Sequence, residues 1–177
     1  MKRILLAVML AAVSMQGQKP DPLDGLWQGY DGEWRHCSRQ LMELAQTIPE
    51  DKYAWRPGAG VRSTSEVFMH IAIANFGLLM ATGKTLPEGL TEASEKSVTN
   101  KAQVMEWLRR SFEAVKTAHS QSAAADLAKR VEIAKRNATV DGIYLRILVH
   151  ANEHMGQLVA YARVNGIAPP WSEGTPR

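Results

Sequence analysis

The stretch "VDGIYLRILVHANEHMGQLVAYARVNG" at residues 140–166 decides the fold. It is a long apolar segment without proline, and its glycines lie near its two ends and just after the histidines. These features predict one helix that begins near Thr139 and ends at Gly166. Because His150 and His154 are four residues apart, both imidazoles project from one helical face. The same apolar face carries Ile143, Ile147, Gln157 and Tyr161.

Three further helices are predicted before this segment. In the first, apolar residues recur at alternating steps of three and four, which is typical of a bundle seam. The seam residues are Trp27, Tyr30, Trp34, Cys37, Leu41, Leu44 and Ile48. The second helix starts where Ser63 or Thr64 provides a cap and Glu66 closes a capping box, and it runs to about Thr82. The polar segment 83–99 is predicted to be a connector without a core of its own.

A third predicted helix begins near Thr99 or Asn100. It carries Val104, Leu108, Phe112 and Val115 toward the core. The segment 126–138 is ambiguous between a short helix and an ordered crossing loop, and no strand pattern stands out. The sequence therefore predicts an all-α four-helix bundle.

The N-terminus has the features of an export signal. The charged "MKR" precedes the apolar run "ILLAVMLAAV", and "AVS" at 12–14 supplies small residues for cleavage. An uncleaved anchor is the alternative, but ten apolar residues are too few for an ordinary membrane span. We expect a signal peptide at 1–17, a bundle domain at 18–177, and a secreted or periplasmic protein without a stable membrane anchor.

Composition limits the partners. The formal net charge is only +3, and lysine and arginine are scattered without a dense basic stripe, so nucleic acid is not an expected partner. Cys37 is the lone cysteine of the sequence, which excludes an intramolecular disulfide. Its place in the first seam predicts a buried thiol.

The sequence contains five histidines, and they differ in their surroundings. His119 falls at the polar end of the third helix, where a solvated histidine favours the helix dipole. His36 turns toward the polar side of the first helix. His70 shares a face with small residues, which predicts a hollow beside it. That face carries Glu66, Ala74, Gly77 and Ala81.

Two interpretations of the inward histidines remain open at this level. His150 and His154 have the spacing that chelates one metal ion through two imidazole nitrogens, and an inward histidine from another helix would complete a set with open positions. Buried imidazoles without partners cost about 1–3 kcal/mol for each unpaired nitrogen, so a metal would relieve part of that cost. The alternative is a set of core histidines satisfied by hydrogen bonds, with Glu66 or a backbone carbonyl accepting from His70.

Other metal motifs fit less well. "HANEH" at 150–154 matches the H-x-x-E-H pattern of zinc peptidases, but that pattern belongs to larger domains with an edge strand for the peptide. A ferritin-like di-iron site needs two Glu-x-x-His motifs, and only Glu33 and His36 supply one. A haem site would pair Met80 or Met155 with a histidine.

Two stretches resemble the DinB family of DinB/YfiT-like metalloenzymes: "IPEDKYAWRPGAGVRSTSEVFMHIAIAN" (48–75) and "LVHANEHMGQLVAYARVNGIAPPW" (148–171). The resemblance covers nearly all of the chain after the signal peptide. It implies a four-helix bundle, often dimeric, that holds a divalent metal through one histidine of helix two and an HxxxH pair of helix four. Matched residue by residue, these ligands are His70, His150 and His154.

The function that follows is an exported protein with one divalent ion, of zinc, nickel, cobalt or iron, at this three-histidine site. A metal-dependent hydrolase or transferase would act through metal-bound water or thiol on a small molecule. Glu153 is then the candidate base, and Gln157 is a candidate for orienting a ligand or a histidine tautomer. Some relatives use a cytosolic thiol, which does not suit an exported protein. The alternative is a non-catalytic bundle that binds a metal or a small ligand.

Overall fold

The computed structural model describes residues 29–172, so the predicted signal peptide and Trp27 of the first seam lie outside the described residues. Four long helices make up the body of this part of the chain. They are α1 (Gly29–Thr47), α2 (Thr64–Met80), α4 (Lys101–Ser120) and α6 (Val140–Val164). Two four-residue helices, α3 (Ser94–Ser97) and α5 (Ala124–Leu127), lie in the connections. The predicted helical bundle is confirmed.

The bundle is arranged so that α1 and α2 each pack against both α4 and α6. The predicted seams face this core: Trp34, Leu41, Leu108 and Ile147 are all 2% exposed or less. The indole of Trp34 also donates a hydrogen bond to the backbone carbonyl of Phe112 over 3.2 Å, which ties α1 to α4. The burial of these side chains supplies the main stabilisation of the fold.

Helix α2 begins as the sequence predicts. The side chain of Ser63 accepts a hydrogen bond from the Glu66 backbone, and the Glu66 carboxylate accepts one from the Ser63 backbone over 2.7 Å. This capping box fixes the first turn of the helix and leaves His70 in its second turn. The helix ends at Met80, slightly before the predicted Thr82.

The ambiguous segment 126–138 contains the end of α5 and all but the last residue of a β-hairpin that the sequence did not reveal. Strand β1 (Arg130–Ile133) pairs antiparallel with β2 (Arg136–Thr139), with Ile133 opposite Arg136. The two turn residues, Ala134 and Lys135, have φ of 49° and 62°, as a two-residue hairpin turn requires. Neither residue type favours this conformation, which is why the turn has no sequence signature.

The hairpin leads directly into α6. Thr139 ends β2, and its side chain accepts a hydrogen bond from the Gly142 backbone over 3.1 Å, so it caps the helix. The helix then continues for 25 residues and places the histidine pair in its middle. Nowhere in residues 29–172 is a helix both long and apolar enough to cross a membrane.

Candidate metal centre

Three imidazoles meet between α2 and α6. His70 comes from α2, and His150 and His154 come from consecutive turns of α6. The ring centroids are 5.0 Å apart for His70 and His150, 4.8 Å for His70 and His154, and 4.5 Å for His150 and His154. Each ring offers one nitrogen to a group whose atoms all lie within 4.8 Å of one another. The structure therefore brings together the three residues that the sequence singled out.

The outer nitrogen of His70 has a carboxylate partner. Its Nδ1 lies 2.9 Å from Oε2 of Glu95, which stands on the short helix α3. The guanidinium of Arg62 binds the same carboxylate, with Nε 2.7 Å from Oε1. Partial burial opposes ionisation of Glu95, but the hydrogen bonds from Arg62 and His70 outweigh it and hold the pKa of this carboxyl below its ordinary value. An ionised carboxylate only accepts, so Nδ1 of His70 carries the proton.

The outer nitrogen of His154 has an amide partner. Its Nδ1 lies 2.9 Å from Oε1 of Gln157, one turn further along α6. The amide nitrogen of Gln157 donates to the hydroxyl of Tyr161 over 2.8 Å, and this hydroxyl donates to the backbone carbonyl of Arg62 over 3.1 Å. The predicted role of Gln157 as the residue that holds a histidine tautomer agrees with this geometry.

His150 differs from the other two. Its Nε2 lies 3.2 Å from Nε2 of His70, while its buried Nδ1 is one of the side-chain atoms without a hydrogen-bond partner in residues 29–172. Burial lowers the pKa of His150 to about 4, and repulsion from His154, His70 and Arg146 acts in the same direction. Burial also lowers the pKa of His70, although Glu95 opposes this shift. Both rings are therefore neutral at pH 7, as metal ligands must be.

The donor set fits a divalent cation. Two nitrogens that bind one ion at about 2.0–2.1 Å, with an angle near 90–110°, are roughly 2.9–3.4 Å apart. The 3.2 Å between Nε2 of His70 and Nε2 of His150 lies inside this range. The candidate ligand atoms of all three residues lie within 4.8 Å of one another. Three neutral imidazoles without thiolate suit zinc, nickel, cobalt or iron(II).

The hollow predicted beside His70 is an open face rather than an internal cavity. Gly77 is exposed, and a Cβ atom built on it would meet nothing within 4 Å. Ala74 and Ala81 are only partly buried. Glu66 does not accept from His70 as the hydrogen-bonded alternative supposed, because its carboxylate binds the Ser63 backbone and Arg56.

Glu153, the candidate base, lies on the outer side of α6. Its side chain is 53% exposed, and its carboxylate pairs with Arg146 through contacts that include one of 3.3 Å. The hydrogen bond from Arg146 lowers the pKa of Glu153, as do the nearby His150 and His154. An ionised carboxylate next to the cluster suits a base, but Arg146 has to release it first.

The other two histidines lie outside the cluster. His36 is on α1, where Nδ1 lies 3.4 Å from Nη2 of Arg39. The expectation of a solvated His119 was wrong, because its side chain is only 13% exposed and its Nδ1 lies 2.7 Å from Oδ1 of Asp31. Its ring packs on Tyr30 with 4.2 Å between centroids and meets the edge of Tyr144. His119 therefore joins the ends of α1, α4 and α6.

The sequence did not point to Glu95 or Arg62. Glu95 lies in the segment predicted to be a polar connector, where one glutamate among several has no periodic pattern to distinguish it. Arg62 lies within the run that carries the family resemblance, just before the cap of α2, and this position was the one available signal.

Comparison with known proteins gives a consistent result. The family model of the DinB superfamily matches residues 33–158. A DinB-like protein from Bacillus cereus has a similar fold, with a TM-score of 0.71 and 19% identity over 80% of this chain and 94% of that one. A DinB-like protein from Bacillus subtilis has a TM-score of 0.61 and 20% identity, over 78% of this chain and 92% of that one. A conserved protein from Enterococcus faecalis has a TM-score of 0.59 and 13% identity, over 76% of this chain and 94% of that one.

These solved structures share the fold with this chain, and their identities are too low to carry more than the fold. No curated protein matches the chain. The family model spans most of the sequence and includes all three clustered histidines. The chain therefore belongs to the DinB superfamily.

Proposed function

We propose that this protein binds one divalent metal ion through His70, His150 and His154. The observation that carries the proposal is the convergence of three imidazoles, two of which have their Nδ1 atoms held by acceptors. Each of these two rings then directs an unprotonated Nε2 inward, which is the form that binds a metal. The buried Nδ1 of His150 has no hydrogen-bond partner among residues 29–172, so hydrogen bonds within the described part of the chain do not fully satisfy this ring.

The chemistry that we propose is metal-dependent hydrolysis or transfer on a small molecule. A bound divalent ion lowers the pKa of a coordinated water or thiol and so supplies a nucleophile at neutral pH. The chain would hold the ion with three imidazoles. The Glu153 carboxylate, once it has separated from Arg146, would accept the proton of the coordinated water or thiol. The second candidate is a non-catalytic metal- or ligand-binding protein, which is favoured by the scarcity of polar residues on the helical face of His70, where Ala74 and Gly77 follow.

The test of metal binding is titration of the metal-stripped protein with zinc and with cobalt(II). We expect one ion per chain, and a cobalt absorption spectrum typical of nitrogen ligands. His70→Ala, His150→Ala and His154→Ala should each lose most of the binding, whereas His36→Ala and His119→Ala should keep it. Full metal occupancy in the His150→Ala variant would contradict the proposed ligand set.

The enzyme and binding-protein candidates separate in a second experiment. The zinc-, nickel-, cobalt- and iron-loaded proteins are assayed on panels of ester, amide and thiol-transfer substrates. Turnover that disappears in His70→Ala and falls in Glu153→Gln supports the enzyme. Tight metal binding without turnover on any panel favours the binding protein.

Export and dimerisation complete the proposal. The charged and apolar N-terminal run supports a secreted or periplasmic location, and mass spectrometry of the native protein should find a chain that begins near residues 15–18. A full-length intracellular species would contradict export. The resemblance to a family that is often dimeric leads us to propose a homodimer, which sedimentation equilibrium measures directly.

A further inference from the structure

Two hydrogen-bond chains run outward from the histidine cluster, and both end on Arg62. The first chain runs from His70 through the carboxylate of Glu95 to the guanidinium, with 2.9 Å and 2.7 Å between the paired atoms. The second runs from His154 through Gln157 and Tyr161 to the backbone carbonyl of Arg62. One residue is therefore the common anchor of two metal-site histidines that stand on different helices.

Arg62 also fixes the direction of every bond in both chains. Its carbonyl can only accept, so Tyr161 must donate to it, and the Tyr161 oxygen is left to accept from the Gln157 amide. The carbonyl oxygen of Gln157 then faces His154 and must accept a hydrogen bond from its Nδ1. On the other side, the guanidinium can only donate, and it donates to both oxygens of Glu95, over 2.7 Å to Oε1 and 3.4 Å to Oε2. Both oxygens are therefore acceptors, and Oε2 accepts the hydrogen bond from Nδ1 of His70.

We propose that Arg62 is a positioning residue that sets the protonated nitrogen of both His70 and His154, acting through Glu95 and through Tyr161 with Gln157. This inference rests on the proposed metal-binding function. Because both Nδ1 atoms must carry the proton, both Nε2 atoms keep a free electron pair on the side where the three rings converge. Two of the three proposed ligands are thereby prepared for a cation before any ion arrives.

The same types of pair occur elsewhere without this arrangement. Arg109 binds Glu106 with two hydrogen bonds of 3.0 Å and 2.7 Å, but both residues are on the surface of α4. His119 binds Asp31, but among the contacts of the described residues no hydrogen-bond chain from another histidine ends on Asp31. These two pairs are matched controls for the arginine–carboxylate and histidine–carboxylate contacts.

The decisive variant is Glu95→Gln, which changes one acceptor oxygen into a donor. Arg62 can only donate, and its shorter contact is to Oε1, at 2.7 Å against 3.4 Å to Oε2, so we expect the new amide to keep its oxygen at the Oε1 position and to turn its NH₂ group toward His70. His70 then has to accept at Nδ1 and carry its proton on Nε2, which weakens metal binding by this ring. Loss of an outer partner of this kind typically weakens metal affinity by about 10–100-fold, and we expect a zinc Kd raised by at least that factor.

A second substitution separates this mechanism from simple structural damage. In the double variant Glu95→Gln with Arg62→Met, the guanidinium no longer dictates the orientation of the amide, which can turn its oxygen back to His70. We therefore expect the double variant to bind zinc more tightly than Glu95→Gln alone. A double variant that binds zinc as weakly as Glu95→Gln, or more weakly, would overturn the proposal. Glu106→Gln and Arg109→Met should leave the zinc Kd unchanged.

Imidazole nitrogen NMR of the metal-free protein at pH 8 identifies which ring nitrogen of each histidine carries the proton. In the wild type, His70 and His154 should both carry the proton on Nδ1. Glu95→Gln should move only the His70 proton, Tyr161→Phe should disturb only His154, and neither should change His119. If the expected tautomers are present but the protein takes up no zinc, the proposed function fails and the positioning role stands. If His70 carries its proton on Nε2 in the wild type, the positioning role is refuted even where zinc binds.

Discussion

The metal-free protein should lose stability as the pH falls from 8 to 5, mainly through His150. Burial is the largest cause of the lowered pKa of this imidazole, which drops from an ordinary 6.5 to about 4 in the folded protein. In the unfolded chain the ring becomes solvated and recovers its ordinary pKa. Between these two values the unfolded state binds more protons than the folded state, so the free energy of unfolding rises with pH.

The size of the effect follows from the two pKa values. A pH of 5 is about 1.5 units below the pKa of 6.5 that the ring has in the unfolded chain, so the unfolded ring is almost fully protonated. The folded ring, with a pKa of about 4, is still mostly neutral at this pH. At about 1.36 kcal/mol per unit, His150 alone should remove about 2 kcal/mol of stability between pH 8 and pH 5. The lowered pKa of His70 adds to the loss in the same direction. Glu66 and Glu95, whose pKa values are also lowered, lose their contributions only below this window.

The assay is urea unfolding of the metal-stripped protein at pH 8 and pH 5, for the wild type and for His150→Gln. We expect the loss of unfolding free energy to be about 2 kcal/mol smaller in the variant, because a glutamine cannot take up the proton. His36→Gln, on α1 and outside the cluster, serves as the control and should behave as the wild type. Equal losses in the wild type and in His150→Gln would refute the reasoning.

Other expectations concern the core, the thiol and the bound ion. Leu41→Ala removes a side chain that is 0% exposed and should cost about 2–5 kcal/mol in urea unfolding, whereas Leu145→Ala, at 56% exposure, should cost far less. Cys37 is 1% exposed and burial raises the pKa of its thiol to about 12, so thiol reagents should label it only after denaturation; rapid labelling of the native protein would contradict this. Zinc at 100 times its Kd should add about 2.7 kcal/mol of stability to the wild type and almost none to His154→Ala, as thermal unfolding would show.

Much of the fold is predictable because its signals are local. The capping box at Ser63 and Glu66 and the caps at Asn100 and Thr139 each depend on residues within one turn, and all of them form. The histidine pair is predictable for the same reason, since a four-residue spacing on one helix fixes a common face. That Ile143 and Ile147, on the same face, are 2% and 0% exposed confirms that the face points inward.

The outer half of the site could not be predicted, because it depends on contacts between distant parts of the chain. Glu95 reaches His70 across 25 positions of sequence, and Tyr161 reaches the carbonyl of Arg62 across 99. No periodicity links such residues; the packing of α6 and of the connector beside α2 brings them together. The hairpin at 130–139 was missed for another reason, since its turn residues, Ala134 and Lys135, adopt a left-handed conformation that their types disfavour.

A carboxylate partner does not by itself mark a histidine as a metal ligand, and the pairs made by His70 and His119 make the distinction testable. His70 and His119 hold their carboxylates at 2.9 Å and 2.7 Å, yet only His70 has two further imidazoles against its ring, while His119 faces Tyr30 and Tyr144. Asp31→Asn should therefore leave zinc affinity unchanged and cost about 0.5–1.5 kcal/mol of stability, the usual net contribution of one hydrogen bond. Loss of zinc binding in Asp31→Asn, measured beside Glu95→Gln, would show that the partner matters more than the convergence of the rings.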